Sequence, residues 1–90
     1  MEPKLAAAYI GRGVTYQNKG LNDQAIADFS KAIALPLPQP DLASTYLGRG
    51  VSYEHKGTRD QAIADYREAL ALNPNMKAAQ EGLTRLGATP

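Results

Sequence analysis

The chain has 90 residues, 43% hydrophobic and 21% charged, the composition of one small folded domain and not of a disordered segment. Ten basic and nine acidic residues leave a formal net charge of +1, too little to neutralise a phosphate backbone, so nucleic acid is not the expected partner. Cysteine is absent, which removes disulfides and thiol chemistry, and no apolar run approaches the roughly 20 residues that cross a bilayer, so no membrane insertion is expected.

The first eight residues carry an alanine run that Tyr9, Gly11 and Arg12 interrupt, so they do not read as a signal peptide. A first helix follows from Leu5, Tyr9, Arg12-Gly13 and Tyr16, spaced by three or four. Lys19-Gly20 ends it, with glycine supplying the left-handed residue past the last turn. Asn22 is the expected N-cap of a second helix, with Asp23 in its first turn. Ala25, Ile26, Phe29, Ala32 and Ile33 form the apolar face of that helix. Pro36, Pro38 and Pro40 then predict a stiff, extended connector over residues 36–41. Its composition fits either a docking ligand for a proline-binding domain or, more simply, a longer turn between helices.

A third helix contains Tyr46, Gly50 and Tyr53 and stops at Lys56-Gly57. A fourth presents Ala62, Ile63, Tyr66, Ala69 and Leu70, with Asp60 in the capping role. Asn73-Pro74 closes it, because proline disfavours helix in the residue before it. A fifth helix is predicted over 75–87, with Asn75 as cap, Gly87 as stop and Met76, Ala79, Leu83 and Leu86 as its apolar stripe. It covers the last hairpin and turns a polar face outward, or else it opens a further repeat.

The first four helices are two copies of one unit. Shifted by 37 positions, Ala6–Leu35 lies over Ala43–Leu72 with 18 identities in 30 positions. Gly11-Arg12-Gly13-Val14 recurs as Gly48-Arg49-Gly50-Val51, and Asp23–Asp28 recurs whole as Asp60–Asp65. Antiparallel helices approach closely where small side chains cross, which suggests Gly13 against Ala25 and Gly50 against Ala62. A glycine inside a helix costs up to about 1 kcal/mol relative to alanine, so its recurrence implies a close contact that outweighs the cost. The tyrosines, Phe29 and Tyr66 are expected to fill the space between hairpins.

The order of small and aromatic residues resembles the tetratricopeptide repeat. The first unit supplies Tyr9, Gly13, Tyr16, Gly20, Ala25, Phe29 and Ala32; the second supplies Tyr46, Gly50, Tyr53, Gly57, Ala62, Tyr66, Ala69 and Pro74. The leading aromatic is tyrosine where the family has tryptophan, and Arg12 and Arg49 stand where it has leucine. The period of 37 exceeds the family's 34, with the surplus in the proline-rich connector. The resemblance implies an all-α superhelix: one domain over 1–90, with repeats at about 4–36 and 41–74 and a capping helix at about 75–87.

The resemblance also implies a protein-binding module whose first helices line a concave groove for a partner's peptide or helical segment. Carried onto this chain, the groove residues are Ala7, Ile10, Gly11, Val14, Gln17 and Asn18 from the first repeat. The second gives Ser44, Leu47, Gly48, Val51, Glu54 and His55, and the fifth helix adds Ala78, Glu81 and Arg85. Chaperone-binding members clamp a terminal carboxylate with Lys and Asn. Here Ile10, Val14, Gly48 and Glu81 occupy those places and only Arg85 fits, so that clamp is not expected. An apolar or amphipathic segment is the expected ligand. The alternatives are a self-assembling element, by repeat stacking or hairpin swapping into a homo-oligomer, and a fragment of a longer array.

Catalytic chemistry is not legible. His55 is the only histidine and has no second histidine or cysteine with which to share a metal. Ser30, Ser44 and Ser52 lack a Gly-x-Ser-x-Gly context, and the glycines form no phosphate loop. Asp28 and Asp65 recur by repeat symmetry and not as an acid–base pair. No cofactor, metal or enzymatic activity is expected.

Overall fold

A computed structural model describes residues 3–89 of the chain; Met1, Glu2 and Pro90, which the single-domain expectation included, lie outside the described residues. Five helices follow one another: α1 (Pro3–Asn18), α2 (Asn22–Ile33), α3 (Gln39–Lys56), α4 (Arg59–Leu72) and α5 (Lys77–Arg85). Each packs mainly on its neighbours in sequence, while α1–α3 and α3–α5 touch only lightly. The result is two layers, α1, α3 and α5 in one and α2 and α4 in the other, in a slab of 38 × 26 × 16 Å.

Three glycines close helices in the same way. Gly20, Gly57 and Gly87 have φ of 77°, 88° and 72°. In each case the next residue's N–H reaches back five positions: Leu21 to the Tyr16 carbonyl, Thr58 to Tyr53, Ala88 to Leu83. This paired closure satisfies carbonyls that the helix end would otherwise leave open.

The helix starts differ from the expected caps. Asn22, Asp60 and Asn75 do not cap; the flanking residues are Leu21, Thr58 and Met76, none with a side-chain cap bond. The glycine closure explains the first two. It turns the chain so tightly that Ala25 N–H already bonds the Leu21 carbonyl and Ala62 N–H the Thr58 carbonyl. Asn22 and Asp60 therefore stand inside the helix, and the Asn22 Oδ1 is buried without a partner. At α5, a turn from Asn73 to Met76 takes up the chain, closed by Met76 N–H on the Asn73 carbonyl and Asn75 N–H on Asn73 Oδ1. The connector is also shorter than residues 36–41. Proline is tolerated in a first helical turn, where its missing N–H is not needed, so Gln39-Pro40-Asp41 already belongs to α3.

The core is built from alanines around two rings. Ala6, Ala25, Ala32, Ala43, Ala62, Ala69 and Ala79 are buried, with Phe29, Tyr66 and Leu83 as the largest fully buried apolar side chains. The nearest neighbours of these glycines are the rings and not the expected alanines. A Cβ on Gly13 would lie 2.9 Å from Phe29 Cε1, and one on Gly50 3.0 Å from Tyr66 Cε1. Ala25 and Ala62 are buried, but an aromatic side chain fills the crossing because only a missing Cβ leaves room for a ring.

Each ring also bridges its own hairpin to the helix that follows it. Phe29 of α2 meets Gly13 of α1 on one side and Gly48 of α3 on the other, where a Cβ would lie 2.9 Å from Cζ. Tyr66 of α4 sits likewise between Gly50 of α3 and Gly82 of α5, where a Cβ would lie 2.6 Å from Cε2 and Cζ. Phe29 and Tyr66 thus fill the space between hairpins as expected. The other four tyrosines are only half-buried, and of these Tyr46 and Tyr53 rest on the core of the second repeat.

Candidate functional site

Tyr9, Tyr16, Tyr46 and Tyr53 are half-buried and flank arginines. Arg12 grips Asp28 through two parallel hydrogen bonds, Nε to Oδ2 at 2.7 Å and Nη2 to Oδ1 at 2.8 Å. Its guanidinium carbon lies 5.8 Å from the ring centres of both Tyr9 and Tyr16. Arg49 repeats the arrangement on Asp65 at 2.8 and 2.9 Å, with Tyr46 at 5.5 Å and Tyr53 at 5.8 Å. Both carboxylates are buried, which is tolerable because each is paired and doubly hydrogen-bonded. The Arg12 hydrogen bond holds the Asp28 carboxyl below the usual carboxylate range, against the opposing effect of burial. These pairs tie the two helices of each hairpin together. In sequence the arginines and aspartates stand far apart, and their common recurrence at a separation of 16 is the signal that links them.

The groove residues expected on α1, α3 and α5 fall into two groups. The first group holds the layer together. Gln17 donates from Nε2 to the Gly48 carbonyl at 2.8 Å and to Ser52 Oγ at 2.9 Å, joining α1 to α3. Glu54 accepts from Tyr66 Oη at 2.6 Å and from Arg85 Nε at 3.0 Å, joining α3, α4 and α5. Arg85 and, to a lesser degree, Tyr66 hold the Glu54 carboxyl below its ordinary value, while burial opposes them. Gly48 belongs here too, since Phe29 lies against it. Buried Ser52 accepts the Gln17 bond, while the buried Thr45 hydroxyl returns to the Asp41 carbonyl of its own helix.

The second group makes no side-chain hydrogen bond or ion pair among the described residues. Ala7, Asn18, Ser44, His55, Ala78 and Glu81 are exposed, and Val14 is 42% exposed. Ile10, Leu47 and Val51 are half-buried, the last two resting on the core of the second repeat. Ile10 and Val14 lie four apart on α1 and Leu47 and Val51 four apart on α3, so each pair shares a helix face.

Elsewhere, an open depression of about 570 Å³ lies between α4 and residues 87–89, lined in part by Arg59, Ile63 and Arg67. Its arginines are engaged: Arg59 donates to the Leu86 carbonyl at 2.7 and 3.0 Å and Arg67 to the Thr89 carbonyl at 3.3 Å, which pins the tail to α4. Among the described residues no three His, Cys, Asp or Glu side chains are grouped to hold a metal ion, and no helix is long and apolar enough to cross a membrane.

Sequence patterns described as tetratricopeptide repeat match residues 6–36 and residues 43–76, one on each hairpin. No curated protein matches the chain.

Proposed function

The chain belongs to the tetratricopeptide repeat family, and we propose that it binds an apolar or amphipathic segment of a protein partner along the inner faces of α1 and α3. Repeats of this family are generally protein–protein interaction modules and typically non-catalytic. The observation that carries the reading is the apolar row Ile10, Val14, Leu47 and Val51. Two of these four rest on core, while Val14 is among the most exposed large apolar side chains of the described residues. Apolar side chains set between polar neighbours such as Asn18, Ser44 and His55 suit a ligand that buries one face and leaves the other wet.

A carboxylate clamp is not part of this proposal. Arg85, the one cation at a clamp position, already gives two hydrogen bonds to Glu54, at 3.0 and 3.1 Å. A peptide carboxylate would have to displace that partner.

The test is selection of binding peptides from a random displayed library, followed by affinity measurement on Val14→Glu and Val51→Glu. The proposal expects apolar or amphipathic peptides whose affinity falls at least about tenfold on either variant, with helical circular dichroism unchanged. Unaltered affinity would place binding elsewhere, and loss of helicity would show these valines to be core.

A further inference from the structure

Among the five glycines inside helices, four lie against an aromatic ring and Gly11 does not: a Cβ there would meet nothing within 4 Å. Gly11 stands 37 positions before Gly48, on which Phe29 rests, and Gly48 stands 34 positions before Gly82, on which Tyr66 rests. An interior helix glycine costs stability, and at Gly11 no packing among the described residues offsets it.

The α2–α3 seam shows what such a glycine receives. Besides the Phe29 ring on Gly48, α3 takes three polar contacts. Arg49 Nη1 donates to Ser30 Oγ at 3.1 Å. The Gly48 carbonyl and Ser52 Oγ accept from Gln17. Lys56 pairs with Asp23 at 2.8 Å. The corresponding side of α1 carries every receiving half. Gly11, Arg12, Thr15 and Lys19 stand where α3 has Gly48, Arg49, Ser52 and Lys56. Arg12 spends Nε and Nη2 on Asp28, as Arg49 does on Asp65, and among the described residues its Nη1 has no hydrogen-bond partner. Thr15 Oγ1 merely returns to the Gly11 carbonyl at 3.1 Å. Exposure follows suit: the Arg12 side chain is 54% exposed against 21% for Arg49.

We propose that this side of α1 is an acceptor for a helical hairpin of another polypeptide. The hairpin it fits resembles α1–α2: an amide side chain on the first helix, then an acidic residue, an aromatic ring six positions on and a hydroxyl next to it, as in Gln17, Asp23, Phe29 and Ser30. The seam inside the molecule supplies the template, and Lys19 supplies the complementary charge. A second intact copy is not the occupant, because its Phe29 is already seated on its own Gly48 and its Tyr66 on its own Gly82. Gly11 adjoins the inner row of Ile10, Val14, Leu47 and Val51, but Arg12, Thr15 and Lys19, which complete this surface, do not belong to that row, and the proposal does not depend on it.

The test titrates the ¹⁵N-labelled full chain with an unlabelled peptide spanning residues 4–38, the α1–α2 hairpin itself. The expected result is saturable shifts at Ala8, Gly11, Arg12 and Thr15, with affinity lowered roughly tenfold or more by Gly11→Leu and reduced by Lys19→Glu. The space around Gly11 leaves the Leu variant folded, which circular dichroism checks. Since the free peptide need not hold its shape, a second protein carries residues 4–40 duplicated ahead of the chain. There Gly11→Leu at the original position should lower the melting midpoint, while in the natural chain it should not. Shifts confined to α5 or to the inner row would overturn the proposal. So would a self-association of the chain alone that Gly11→Leu abolishes, or a Gly11→Leu effect identical in the natural and duplicated proteins.

Discussion

Replacing Gly11 and Gly48 by alanine, one at a time, isolates the contact between ring and glycine. The two positions are equivalent in successive repeats and both lie inside helices, so the gain in helix propensity, about 0.5–1 kcal/mol, is common to both. They differ only in surroundings. At Gly11 the added methyl enters open space. At Gly48 it would lie 2.9 Å from Phe29 Cζ and 3.2 Å from two further ring atoms. The ring cannot retreat, because Gly13 clasps it from the other side with a Cβ position 2.9 Å from Cε1. Overpacking of this kind costs about 1–3 kcal/mol. Gly11→Ala should therefore stabilise by about 0.5–1 kcal/mol, and Gly48→Ala should end about 1–3 kcal/mol below it. In a domain of this size each kcal/mol moves the melting midpoint by about 4–8 °C, and urea unfolding gives the same difference independently. Phe29→Leu should make Gly48→Ala less harmful by thinning the side chain it meets. Equal shifts for the two alanine variants would refute the reasoning and detach these glycines from the rings.

Further outcomes follow from the ion pairs. Arg49→Met leaves Asp65 buried and unpaired and should cost about 3–5 kcal/mol by urea unfolding; Arg12→Met should cost less, because its more exposed arginine leaves a site that water can enter. Asp28 and Glu54 have depressed folded-state pKa values, so their contribution is complete above the ordinary carboxylate range and is lost as pH falls through the folded values. Melting midpoints should thus be steady from about pH 7 to 5 and fall below about pH 4, and an Asp28→Asn, Glu54→Gln double variant should start lower but fall less. Tyr66→Phe removes the 2.6 Å bond to Glu54 while keeping the ring between Gly50 and Gly82, and should cost about 1–2 kcal/mol in the same assay.

The helical hairpins, the glycine stops and the recurrence of the unit were all readable from spacing alone, because each rests on local backbone preference or on direct identity between segments. Gly20, Gly57 and Gly87 hold the left-handed conformation that only glycine takes without penalty. What spacing did not reveal was choice among partners. Asn22 and Asp60 have capping side chains, yet a tight glycine closure started each helix before they could act. Ala25 and Phe29 both lie on the α2 face that Gly13 meets; the room left by the missing Cβ, a three-dimensional quantity, selected the ring. Arg12 and Asp28 are 16 residues apart, and only the fold of the hairpin brings them within 2.7 Å. Within the candidate groove, Gln17 and Glu54 look like ligand-facing polar residues in sequence, but their partners lie on neighbouring helices.

The seating of Phe29 and Tyr66 between glycine backbones has a consequence for how such a chain can change over time. The thickness of an aromatic ring acts as a gauge for the gap between consecutive hairpins, and the same gauge is used across the longer connector after α2 and the shorter one after α4. Linker length is thereby uncoupled from stacking geometry. Residues can be gained or lost in the proline-rich connector at small entropic cost while the hairpins keep their register. A change of ring size at position 29 or 66, by contrast, would alter the pitch of everything beyond it.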